Sequence, residues 1–211
     1  MTPARPSGRF VSRGGDKLDG ALGALGIDPA GMRVLDAGAS TGGFSDRLLQ
    51  GGAREVVAVD VAYGDLAWTL RTDPRVTVLE RTNVRHLRPT DVGAPVDLIV
   101  ADLSFISLAT VAEALCACLA ADGALLVLVK PQFELPRDRV PPGGVVRDPE
   151  DWMSAMRRVA EAYRARRLAL AAATPSLLPG PKGNREFFLH MLRGDTDAGD
   201  EVIARAAREA P

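Results

Sequence analysis

Nothing in this 211-residue chain is apolar for long enough to cross a bilayer. The longest such stretches, Ala124–Val129 and Leu168–Ala173, fall far short of the roughly 20 residues that a spanning helix needs. The start of the chain carries arginines and prolines where a secretory signal would carry an apolar run, so a cytoplasmic protein without membrane association is expected. Thiols and imidazoles are scarce as well. Cys116 and Cys118 stand close together in one helical pattern, His86 and His190 are the only histidines, and the four are too few for a structural zinc site, so both cysteines read as core thiols and no metal is expected. An excess of one charge is also missing: 26 basic residues against 27 acidic ones give a net charge of −1. Nothing therefore draws nucleic acid to the molecule as a whole, and any RNA-binding surface must be a local cluster. Two clusters exist, Arg5, Arg9, Arg13 and Lys17 near the start and Arg157, Arg158, Arg164, Arg166 and Arg167 late in the chain, although such runs are ordinarily solvated faces.

What is present is an ordinary globular composition, 46% hydrophobic and 25% charged. From Arg33 onward, aliphatic runs alternate with amphipathic segments, the pattern of a parallel sheet flanked by helices. Strands are expected at Arg33–Ala37, Glu55–Val61, Val76–Leu79, Val96–Asp102, Ala124–Lys130, Leu168–Thr174 and Glu186–Leu192. Helices are expected at Asp16–Leu25, Phe44–Gln50, Gly64–Arg71, Leu108–Ala121 and Pro149–Arg166. The last two strands have only the Pro- and Gly-rich segment 175–185 between them, which predicts an antiparallel pair closing a seven-stranded, otherwise mostly parallel α/β sheet. A second Pro- and Gly-rich stretch, 133–145, predicts a mobile loop beside the fifth strand. The expected organisation is a basic extension over 1–14, one catalytic domain over 15–192, and a tail over 193–211 that can form a helix.

The segment Asp36-Ala37-Gly38-Ala39-Ser40-Thr41-Gly42-Gly43-Phe44 leaves the first strand and opens a helix, which is where an open α/β sheet binds its ligand. Alone, such a turn fits a dinucleotide or mere tight packing as well. The second strand leads into Asp60 and Val61, where a carboxylate can accept both ribose hydroxyls of an adenosine ligand. Asp36 would repel a pyrophosphate but suits a cationic sulfonium amino acid, which favours S-adenosylmethionine over a dinucleotide. Asn83, after the third strand, offers an amide to an adenine edge or is simply a turn residue.

The fourth strand leads into Asp102-Leu103-Ser104-Phe105. Methyltransferases that act on amino groups commonly carry an Asp or Asn followed by two prolines and an aromatic here, and Leu103 and Ser104 replace those prolines. A nitrogen target is disfavoured, and a ring-carbon target lacks a strand-end cysteine nucleophile. A hydroxyl is what remains. Lysine usage adds a separate clue, because the chain has only Lys17, Lys130 and Lys182 among its basic residues. Arginine cannot give up its proton in a protein and lysine can, so a retained lysine at a strand end is a candidate base. Lys130 and Asp102 fall on one edge of the sheet, with Glu186 at the start of the last strand; ordinary strand-end charges are the alternative.

With these residues in view, the sequence resembles the TlyA (hemolysin A-like) family, a branch of the FtsJ-like ribose methyltransferases. The resemblance runs through Ser12-Arg13-Gly14-Gly15-Asp16-Lys17-Leu18, the turn 36–44, Ala58-Val59-Asp60-Val61, Glu80-Arg81-Thr82-Asn83, Asp102-Leu103-Ser104-Phe105, Lys130-Pro131-Gln132-Phe133-Glu134 and Gly180-Pro181-Lys182-Gly183-Asn184-Arg185-Glu186. It implies a Rossmann-like, S-adenosylmethionine-dependent fold, a catalytic tetrad falling on Lys17, Asp102, Lys130 and Glu186, and 2′-O-methylation of ribosomal RNA, free or in a ribosomal subunit. Lys130 would take the hydroxyl proton or stabilise the alkoxide, Asp102 and Lys17 would hold the hydroxyl in line, and Glu186 would orient the two lysines. Family members carry a small RNA-binding domain ahead of the catalytic one, and this sequence begins a few residues before Ser12. The expectation is that it recognises RNA without that module, with a small hydroxylated metabolite as the alternative acceptor and a non-catalytic RNA-binding module as a further one.

Overall fold

The computed structural model describes residues 8–194 and 197–211. Seven strands form one sheet: β1 (Arg33–Ala37), β2 (Glu55–Val59), β3 (Val76–Leu79), β4 (Val96–Ala101), β5 (Leu119–Val129), β6 (Leu168–Pro175) and β7 (Phe187–Arg193). Their order is β3-β2-β1-β4-β5-β7-β6, with β1 to β5 mutually parallel and β7 antiparallel to both of its neighbours. The antiparallel pair is thus found as expected, with β7 inserted between β5 and the edge strand β6.

Alternate residues of the central strands supply two cores, one on each face, as a period of two requires. Leu35, Val57, Ile99 and Val127 face α5 (Leu108–Cys118), α7 (Pro149–Arg164) and α8 (Asp200–Arg208). Val34, Val56, Leu98, Leu126 and Phe188 face α1 (Arg13–Leu25), α2 (Gly43–Gln50) and α3 (Trp68–Arg71). Cys116 and Cys118 are buried, and burial pushes both thiols up to about 11, the inert core state expected of them. Of the early basic stretch, residues 1–7, with Arg5, lie outside the described residues; Arg9 pairs with Asp19. In the late one, Arg157 and Arg164 pair with Asp200 and Asp197, tying α7 to the segment around α8.

Four boundaries differ from expectation. α1 starts at Arg13, three residues early, because Ser12 already has extended backbone and serves as the N-cap. The expected helix over 64–71 shrinks to α3, since Gly64 takes φ 84° and its amide binds the Glu80 carboxylate, which keeps the chain in a turn. α5 ends at Cys118 and runs straight into β5, whose pairing with β4 begins at Val96–Leu119. The segment 133–145 begins in the last two residues of α6 (Pro131–Glu134) and contains a 3-10 turn at Arg137–Arg139.

The remaining differences are small but decide the site. Asp60, Asp102 and Lys130 were expected inside their strands and instead follow them: β2 ends at Val59, β4 at Ala101 and β5 at Val129. Glu186 immediately precedes β7, which runs the opposite way. All four side chains therefore leave the same edge of the sheet.

Candidate active site

That edge is the carboxyl end of the parallel strands, and between β1 and β4 the connections diverge to opposite faces, the place where open α/β sheets hold ligands. The turn after β1 makes the floor. Gly38 has φ 89°, and a Cβ there would come to 2.5 Å from the Asp102 carbonyl oxygen, so no other residue fits. Ser40 takes φ 49°, with its amide held by Asp60 Oδ2 at 2.7 Å, while Asp60 Oδ1 accepts from the Ala62 amide at 2.8 Å. A Cβ at Gly42 would collide with Leu70 and Leu66, and one at Gly43 with Ser12 and Gly15, so these two glycines let α1 and α3 close on the turn.

Three adjoining clefts open here. One, of about 460 Å³, is lined by Gly38, Ser40, Asp60, Val61, Asn83 and Asp102, within the range of small-molecule sites. A second, of about 340 Å³, holds Lys17, Gly43, Phe44 and again Asp102. The third, of about 530 Å³, is lined by Phe105, Phe133, Lys130, Lys182, Asn184 and Glu186. Asn83 does double duty. Its Oδ1 caps the turn at Val84 by accepting from the Arg85 amide at 3.0 Å, and its residue still lines the first cleft.

The four residues of the implied tetrad form two ion pairs. Lys17 Nζ donates to Glu186 Oε2 at 2.5 Å, with both side chains buried. Lys130 Nζ lies 2.6 Å from Asp102 Oδ1 but off that oxygen's hydrogen-bonding direction, and donates instead to Ser104 Oγ at 2.9 Å. Glu186, expected to orient both lysines, contacts Lys17; the partners of Lys130 are Asp102 and Ser104. Asp102 Oδ1 and Glu186 Oε1 are buried atoms with no hydrogen-bond donor among the described residues, the first having only the off-axis Lys130 ammonium beside it.

Asp36 is not brought to the clefts. Its carboxyl is fully buried below the turn, accepts from Ser45 Oγ at 2.6 Å, and is pushed up to about 7 by burial, with Asp102 and Asp60 adding to the rise. Two residues to which the sequence assigns no role shape the third cleft. Ser104 is the hydrogen-bond partner of Lys130, and Asn184 uses Oδ1 to bind the Val146 amide at 2.9 Å and Nδ2 to bind the Gly144 carbonyl at 2.8 Å. Asn184 stands in the sequence within the motif Gly180–Glu186, and nothing in that motif announces a contact 38 residues away.

An open sheet in this order, with one antiparallel insertion and a glycine-floored cleft at its switch point, is the Rossmann-like fold of class I S-adenosylmethionine-dependent methyltransferases. A Mesorhizobium loti methyltransferase of that class superposes with a TM-score of 0.60 at 16% identity over 84% of this chain and 98% of that one. The FtsJ-like methyltransferase model matches residues 10–193, and the chain belongs to that family. It is 53% identical to the 16S/23S rRNA (cytidine-2′-O)-methyltransferase TlyA of Mycobacterium tuberculosis over 96% of this chain and 77% of that protein. It is 35% identical to Hemolysin A of Brachyspira hyodysenteriae over 87% and 77%. A solved structure from Streptococcus thermophilus, provisionally described as a hemolysin, matches with a TM-score of 0.92 and 34% identity over 98% of this chain and 76% of that one. The protein is a methyltransferase, and S-adenosylmethionine is its methyl donor. No helix among the described residues is long and apolar enough to cross a membrane.

Proposed function

We propose that this chain methylates the 2′-hydroxyl of a ribose in ribosomal RNA, acting in the cytoplasm on the RNA or the ribosomal subunit. The observation that carries the reading is the open pair of Lys130 and Asp102 at the junction of the clefts, backed by a second, buried lysine–glutamate pair. The similarity to a cytidine-2′-O-methyltransferase supports cytidine as the nucleotide. Phe105, 91% exposed where the first and third clefts meet, offers a face on which an unstacked base can rest, which favours RNA over a small metabolite.

The residues present fit the cofactor. Gly38, Ser40, Asp60 and Asn83 line one cleft of about 460 Å³, in which Asp60 would accept from the ribose hydroxyls and Asn83 would offer its amide to the base. When bound, S-adenosylmethionine supplies a methyl group on a cationic sulfur, already activated toward an oxygen nucleophile. The chain must then place that oxygen and manage its proton. Asp102 and Lys130 flank the junction and hold the hydroxyl in line, a matter of positioning that contributes much of the acceleration. Once Lys130 has given up its own proton to solvent, its neutral amine takes the hydroxyl proton as the oxygen attacks the methyl carbon, and the Lys17–Glu186 pair gives that side of the site a self-neutralised ion pair.

The decisive experiment is incubation with labelled cofactor, first with ribosomal subunits and then with a pool of small hydroxylated metabolites. Label in RNA, lost when the 2′-hydroxyl of the target is replaced by hydrogen, is the expected result. Labelled metabolite with unlabelled RNA reverses the assignment, and salt-sensitive RNA binding with no label in either makes the chain a binding module.

A further inference from the structure

The buried carboxylate of Glu134 takes no part in the site as described, lining none of the three clefts. It lies at the end of α6, the single turn that starts directly after Lys130, and is 3% exposed. Its Oε2 accepts from Ser107 Oγ at 2.5 Å and its Oε1 from the Leu108 amide at 2.8 Å. Both donors stand at the start of α5, where the loop that begins with Asp102 and carries Ser104 comes to an end. One side chain thus ties the segment after Lys130 to the segment after Asp102, and these are the segments whose charges meet at 2.6 Å.

Capping alone does not account for it. Ser107 already caps α5 by accepting from the Ala109 amide at 3.2 Å, the ordinary device for a helix start. A buried carboxylate is a costly addition to a helix that is already capped. Burial pushes the Glu134 carboxyl up, while the hydrogen bonds from Ser107 and the Leu108 amide pull it down. The anchorage continues on both sides. Tyr163, fully buried in α7, donates to the Leu108 carbonyl at 3.3 Å, and the Phe105 and Phe133 rings pack with centroids 5.1 Å apart.

We infer that Glu134 is a positioning residue for methyl transfer, setting the spacing between Lys130 and Asp102 from outside the clefts. The inference rests on those two being the reacting pair. Glu134→Gln keeps an acceptor for the Leu108 amide and a polar partner for Ser107, whereas Glu134→Ala removes both.

In single-turnover methylation of ribosomal subunits, Glu134→Ala should lose at least about tenfold in rate with an unchanged KM for subunits, the scale expected from sub-ångström misplacement, while Glu134→Gln stays within about threefold of the parent. A second readout needs no substrate. Because the chain has only three lysines, limited acetylation followed by mass spectrometry gives the reactivity of Lys130 relative to Lys182. That ratio should rise several-fold in Glu134→Ala; a side chain that merely stabilises the fold leaves it unchanged in the folded protein. An unchanged ratio and rate in Glu134→Ala overturns the inference, as does a Glu134→Gln variant that falls as far as the alanine. Should Glu134→Ala not fold, Ser107→Ala removes one of the two hydrogen bonds and must still raise the ratio, or the inference fails. A parent protein that labels no RNA removes the proposed function, while the lysine ratio still reports on Glu134.

Discussion

The two lysine–carboxylate pairs have the same chemistry and different surroundings. Lys17 and Glu186 retain 9% and 1% of their side-chain exposure and meet in a direct hydrogen bond. Lys130 and Asp102 retain 11% and 22%, and Lys130 points its bond at Ser104. A charge pair taken out of water is held by its own geometry and is costly to break on one side. All four residues line clefts, but Asp102 keeps the most exposure of the four, which leaves part of its carboxylate open to a newcomer. Under the proposed function, the first pair belongs to the framework of the site and the second to its chemistry, although the sequence implies both as one tetrad.

The largest expected effect tests the framework. Glu186→Gln strands the Lys17 ammonium in a buried place and should lower stability by roughly 3–5 kcal/mol, read by urea unfolding, whereas Asp102→Asn, beside water, should cost much less. Equal losses from the two would erase the distinction. Next comes Lys130→Arg, which keeps the charge and cannot release a proton. Turnover should fall at least ~100-fold, about 2.7 kcal/mol in the barrier, with cofactor affinity nearly unchanged by calorimetry. Near-normal turnover would leave Lys130 only an electrostatic role. On the cofactor side, Asp60→Ala should weaken S-adenosylmethionine binding by roughly 1–3 kcal/mol, since it removes the ribose acceptor and frees the Ser40 amide together.

The smallest effect concerns a carboxyl with no cation at all. Asp36 has its folded pKa raised from 3.8 to about 7, so the folded state holds the proton more tightly than the unfolded one. Its contribution is fully present below pH 4 and is lost as pH rises through about 7. Asp36→Asn, neutral throughout, should therefore gain stability relative to the parent between pH 5 and pH 6, by roughly 1 kcal/mol in unfolding titrations. A parallel pair of pH profiles would mean that Asp36 titrates normally.

The sheet was legible because its central strands are buried on both faces and read as aliphatic runs such as Val56-Val57-Ala58-Val59. The candidate site was legible because lysine is rare, so that Lys17 and Lys130 stood out among arginines. What escaped was everything decided by pairing across the chain. Leu119-Ala120-Ala121 has good helical propensity, and only alignment with β4 makes it strand. Asp36 reads as a ligand contact by its place at a strand end, yet its side chain points away from the clefts to Ser45. The sorting of two lysines and two carboxylates into a buried pair and an open pair depends on side-chain directions that no spacing encodes.

The position of β7 has a consequence for how the molecule is made. Lys17 and its partner Glu186 are 169 residues apart, and the strand that follows Glu186 must enter between two strands synthesised earlier. At ordinary translation rates of about 5–20 residues per second, Lys17 leaves the ribosome roughly 8–34 s before the residue that neutralises it. Throughout that interval the nascent chain can form the glycine turn and the first parallel strands, but the wall behind Lys130 is missing. The site thus closes only once the strand after Glu186 has been made, and its assembly reports that everything from Lys17 to β7 has been translated.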